Sequence, residues 1–190
     1  MGIGVLLAGF GWFAAGAGTT AGAAVRAGTP VPIVVHSDDW SGKTEASKAT
    51  CPGGTTLIGG GYDSIPVTNG YNQVQDAVDT NAPSQVEPNT WVIKMHLGKA
   101  SAYALCSPAG SEPPIVVASA DWSGKTEVSK ATCPEGTALS GGGYDSIPVT
   151  NGYNQVQDAV DKAAPSADEP NTWVVKMHLG RASAYALCTK

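Results

Sequence analysis

Two tyrosines, three aspartates and a run of side-chain amides crowd into GGGYDSIPVTNGYNQVQDAVD, which occurs letter for letter at 59–79 and again at 141–161. Planar rings that stack on sugar faces, beside amide and carboxylate groups that hydrogen-bond hydroxyls, are the ingredients of a carbohydrate site. The candidate ligand-binding residues are therefore Tyr62, Asp63, Asn69, Tyr71, Asn72 and Gln73. Their second copies are Tyr144, Asp145, Asn151, Tyr153, Asn154 and Gln155. The competing reading is that Asn69-Gly70 only turns a type I′ hairpin between strand tyrosines. Presented twice on one chain, two weak sites gain avidity on a polymer.

Other chemistries fit less well. Asp63, Asp76 and Asp79 with the neighbouring amides offer the oxygens a calcium ion wants, yet the spacing matches no EF-hand loop, so no metal is assigned. Paired carboxylates for glycoside hydrolysis would need a cleft able to distort a sugar ring, which repeats this small hardly provide. Of the three histidines, His96 and its copy His178 alternate with an apolar strand face, and His36 is replaced by Ala118. GxSxG, HExxH and P-loop motifs are absent, so the chain reads as no enzyme and calls for no cofactor. The run Gly59-Gly60-Gly61 leads into Tyr62 and Asp63 rather than a helix N-terminus, unlike a phosphate loop. Such glycines let a strand bulge, or approach a bulky neighbour such as Trp91.

The elements that must hold these residues follow from composition and pattern. With 24 Gly, 13 Pro and 14% charged residues, the chain favours turns and short strands over long helices. An offset of 82 positions, Trp40 against Trp122, aligns PIVVHSDDWSGKTEASKATCP with PIVVASADWSGKTEVSKATCP and runs without a gap to the last cysteine. The expected organisation is a signal peptide over 1–27, a repeat over 32–107, a linker over 108–113 and a second repeat over 114–190. Period-2 alternation marks strands in TWVIKMHLG, where Trp91, Ile93, Met95 and Leu97 share one side, and in ASAYALC and TEASKATC. PIVV, TTLI and NQVQDAVD are further strand candidates. About six short strands per repeat predict an all-β protein: two tandem small antiparallel β-sandwich or barrel-like domains.

A unit of this size buries too little surface to be stable on core packing alone. Four cysteines allow three pairings. Cys51 with Cys106 and Cys133 with Cys188 is the economical one, since it leaves each copy a complete, stapled unit. An even number of widely spaced cysteines without CxxC suits an oxidising compartment. The uncharged run Met1–Val25, with small residues at Ala21–Ala23 and near Ala27, reads as a secretory signal. Secretion and an extracellular location are therefore expected. A formal charge of −5 without clustered Lys and Arg argues against nucleic acid as a partner, and against a membrane once the signal is cleaved.

The order CPGG, LIGGGYD, NAP, TWVIKMHLG and AYALC resembles small secreted, disulfide-bonded β-domains of actinobacteria. The resemblance spans about Cys51 to Cys106 in each repeat. It implies a secreted β-fold and no particular activity. Taken together, these features predict a secreted, non-enzymatic protein binding an extracellular glycan or protein surface bivalently. The alternative is a structural or interaction protein: a surface or matrix component, or an inhibitor of an extracellular enzyme. Oligomeric state is left open by the sequence.

Overall fold

The computed structural model describes residues 31–42, 45–108, 112–124 and 127–190. The expected signal peptide, and half of the expected linker (109–111), lie outside the described residues. The fold is all-β and antiparallel, with no helix among the described residues. Six strands span the first repeat: β1 (Ile33–His36), β2 (Ser47–Thr50), β3 (Thr56–Ile65), β4 (Val78–Pro83), β5 (Thr90–Met95) and β6 (Lys99–Ser107). Six more follow in the same order: β7 (Ile115–Ala118), β8 (Ser129–Thr132), β9 (Ala138–Ile147), β10 (Val160–Pro165), β11 (Thr172–Met177) and β12 (Arg181–Thr189).

Each repeat stacks two three-stranded layers. In the first these are β1-β6-β3 and β2-β5-β4. Trp91, Ile93 and Met95 project inward from β5, as their alternation predicts, onto a floor of Ala100, Ala102, Ala104 and Cys106 from β6. Small residues opposite large ones let the layers interdigitate. Leu97 falls just beyond β5 and is only half-buried, because the chain has already begun its turn into β6. Cys51–Cys106 and Cys133–Cys188 each tie the end of one layer to the other. The two bridges agree with the economical pairing, and they suit an oxidising environment.

Two strand expectations change. The three glycines do not end a strand: β3 runs through them, with a register shift between Leu57 and Gly59 against β6. A Cβ on Gly60 would stand 2.2 Å from the Trp91 ring and 2.6 Å from the Tyr103 carbonyl, so close approach is what requires this glycine. NQVQDAVD is not a strand over its length. Only its last residues enter β4, which continues through Asn81 to Pro83. The reason is Asp76, whose buried carboxylate accepts N–H groups from Val67 (3.3 Å), Ala77 (2.9 Å), Leu97 (2.9 Å) and Gly98 (2.7 Å). A side chain that gathers four backbone donors pins a loop, and the ladder resumes only beyond it.

The repeats share a sheet. Strand β4 pairs with β9, Thr80 opposite Asp145 and Asn81 opposite Tyr144. This creates a continuous six-stranded sheet in the order β2-β5-β4-β9-β12-β7.

Candidate binding loops and the seam between repeats

Thr68 and Val74 bridge across a short hairpin whose tip carries most of the candidate residues. Asn69 N–H donates to the Gln73 carbonyl (3.0 Å), and Asn72 N–H donates to the Asn69 carbonyl (3.0 Å). The left-handed residue is Asn72, at φ 59°, and Gly70 has no positive φ. The loop is therefore not the type I′ turn that Asn-Gly predicts. It is a three-residue connection in which a type I turn precedes a left-handed residue, a conformation asparagine tolerates.

The Asn69 side chain locks this tip. Its Oδ1 accepts from Tyr71 N–H (2.9 Å) and Gln73 N–H (3.0 Å), while its amide donates to Gln73 Oε1 (2.7 Å). Asn69 and Gln73 thus form the scaffold of the loop, and Tyr71 is what the loop presents. In the second copy Asn151, Tyr153 and Gln155 repeat the same bonds, with Asn154 at φ 60°. Tyr71 and Tyr153 are each 87% exposed.

Tyr62 and Asp63 lie elsewhere, in β3, and Tyr144 and Asp145 in β9. Here the copies part company. Tyr144 faces the seam, and burial pushes its phenol far above the ordinary value, helped by the nearby Tyr62 and Asp79. Tyr62 is 43% exposed. Both border a cleft of about 250 Å³ together with Val78, Ala159 and Val160.

The hairpins differ in surroundings as well. Val156 N–H donates to the Gln75 carbonyl (3.0 Å), and Asn154 Oδ1 stands 3.3 Å from His96 Nε2. The second hairpin is thereby seated on the first repeat, and Val156 is 8% exposed where its copy Val74 is 57% exposed. His96 also approaches Asp79 Oδ2 through Nδ1 at 3.1 Å, so both ring nitrogens are engaged. Burial raises the Asp79 carboxyl above its usual value, with His96 and Lys94 opposing the rise and Asp145 adding to it. Thr80 Oγ1 donates to Asp145 Oδ1 at 2.7 Å. Asp79, Lys94, His96, Asp145, Pro148 and Thr150 frame a polar cleft of about 430 Å³ at the foot of the second hairpin.

Chemically, this cleft offers two carboxylates, an ammonium and hydroxyl groups to a polar ligand. It lacks an assembled nucleophile and base: the Ser146 hydroxyl, on the same wall, donates to the Asp79 carbonyl (2.9 Å). The aspartates weighed for calcium do not converge, since Asp76 is saturated by N–H donors and Asp79 addresses His96. Among the described residues no group of three or more His, Cys, Asp or Glu is arranged to hold a metal ion.

Sequence reasoning missed His96, Asp79 and Thr80 as members of this cleft. The signal for Asp76 was available: it shares a period-2 face with Val74 and Val78, and a carboxylate at such a position needs buried donors. The comparisons add no family. No protein-family model matches the sequence, and no curated protein matches it.

Proposed function

We propose that this chain is a secreted, non-enzymatic protein that binds an extracellular carbohydrate polymer at two points. The observation that carries the reading is the pair of tyrosines, Tyr71 and Tyr153, each held 87% exposed on a tip locked by an asparagine side chain. With the backbone of each tyrosine fixed in that way, only the ring's own rotations remain to be ordered on stacking against a sugar face. The second tip stands beside the cleft of Asp79, Lys94 and Asp145, whose charged groups suit a polyhydroxyl ligand. Export is supported by the uncharged N-terminal run, by the two disulfides and by the resemblance to secreted actinobacterial β-domains.

The test is retention on insoluble polysaccharides and on a glycan array, comparing the wild type with Tyr71→Ala, Tyr153→Ala and the double variant. Each single variant should retain weak binding and the double variant should lose it, with the circular dichroism spectrum unchanged. Retention of the double variant at wild-type strength, or no retention of the wild type on any glycan, would reject the proposal. A second reading, a structural or surface-assembly component, is favoured by the outer edges of β3 and β10, which pair with no other strand among the described residues.

A further inference from the structure

The seam uses one edge of each repeat and leaves the copies of those edges unused. Strand β4 of the first repeat pairs with β9 of the second. By the internal repeat, the equivalents of β4 and β9 are β10 and β3. Each of these is terminal in its own three-stranded sheet, and neither is paired on its outer side. An unpaired strand edge presents a row of N–H and C=O groups that another strand can take up. Asp161, Lys162, Tyr62 and Asp63 along the two edges are exposed.

The free edges are complementary to each other. Transposing the observed register places Lys162 opposite Asp63 and Ala163 opposite Tyr62, where the seam has Thr80 opposite Asp145 and Asn81 opposite Tyr144. The Thr80 to Asp145 hydrogen bond would become a Lys162 to Asp63 ion pair. The accompanying surfaces are exposed too: Val74 is 57% exposed where Val156 is covered, and the His178 side chain, 3.7 Å from Asp161 Oδ2, is 72% exposed where His96 is held by Asp79 and Asn154.

Within one chain the two edges border a common cleft, through Tyr62 on one side and Ala159 and Val160 on the other, but do not pair. The approach of the repeats is already set by the β4 to β9 ladder, by Val156 on Gln75, and by Gly141, where an added Cβ would stand 3.3 Å from the Ile58 carbonyl. An edge belonging to another molecule is under no such constraint.

We propose that a second copy of this chain fills the vacancy: β10 of one molecule pairs antiparallel with β3 of the next, in the register of the internal seam. Such a contact is head-to-tail, so it yields a closed ring or an open string of chains. This inference does not depend on glycan binding.

The experiment uses the full chain in three parts. Light scattering on a size-exclusion column should show dimers or larger species that dissociate on dilution. Lys162→Glu places like charges opposite one another and should weaken association roughly tenfold, with the circular dichroism spectrum unchanged. Adding Asp63→Lys to it should restore association. Finally, Asp63→Cys mixed with Lys162→Cys should give a covalent dimer containing one molecule of each variant. A wild type that is monomeric at every attainable concentration would overturn the proposal. So would an association indifferent to Lys162→Glu, or a bridge between 63 and 162 that forms only inside a single chain carrying both cysteines.

Discussion

The indole N–H of Trp91 donates to Asn81 Oδ1 at 2.9 Å, whereas its copy Trp173 has no hydrogen-bond partner for the same buried group. The cause is one substitution between repeats: the counterpart of Asn81 is Ala163. A buried donor left unpaired costs about 1 to 3 kcal/mol. Asn81→Ala should therefore destabilise the first repeat by roughly that amount, while Ala163→Asn should stabilise the second by about 1 kcal/mol. Urea unfolding followed by tryptophan fluorescence measures both, and equal midpoints for wild type and Ala163→Asn would refute the assignment.

The three glycines of each repeat should respond unequally to alanine. Gly60→Ala drives a methyl group into the Trp91 ring, and a loss of about 1 to 3 kcal/mol or failure to fold is expected. Gly61→Ala meets nothing within 4 Å and should be nearly neutral. Its copy Gly143 packs on the seam, where a Cβ would stand 2.1 Å from the Asn81 carbonyl, so Gly143→Ala should loosen β9 from β4. Amide exchange at Asn81 and Tyr144 reads that loosening directly. Matching behaviour of Gly61→Ala and Gly143→Ala would contradict the seam.

Asp79 gives the seam a pH dependence of definite sign. Burial lifts its carboxyl above 3.8, so the folded chain holds this proton more tightly than the unfolded chain does. The contribution of the neutral acid is fully present below 3.8 and is lost as pH rises through the higher folded value. Asp79→Asn stays neutral throughout. The stability of the variant relative to wild type should accordingly increase as pH rises from about 3.8 across the carboxylate range, and parallel stability curves would refute this.

Each disulfide spans 55 positions, and closing a loop of that length contributes about 4 kcal/mol on the chain-entropy account. Replacing Cys51 and Cys106 together by Ala should unfold the first repeat well before the second, as two separate transitions in urea. A single transition at the wild-type midpoint would show that the staple contributes little.

Much of this architecture was legible in the sequence because it is local. Alternation in TWVIKMHLG assigned Trp91, Ile93 and Met95 to the core, and glycines at a bulky neighbour implied the close contact of Gly60 with Trp91. One cysteine near the start and one at the end of each copy made the within-repeat bridge the economical pairing. Local pattern misled where a single side chain reorganised the backbone. Asp76 collects four N–H groups and interrupts an alternating run, and Asn72 rather than Gly70 takes the left-handed position of the hairpin.

What two identical stretches cannot encode is any difference between them. Tyr62 and Tyr144, Val74 and Val156, and His96 and His178 each share the same local sequence, and so the same intrinsic preferences. They acquire different burial and partners only because β9 lies along β4 while β3 and β10 do not pair with each other. That choice is made by packing one folded copy against the edge of the other, between residues far apart in the chain. The strands, the core and the staples therefore belong to the sequence of each repeat, whereas the seam, its polar cleft and the inequality of the two loops belong to the tertiary structure alone.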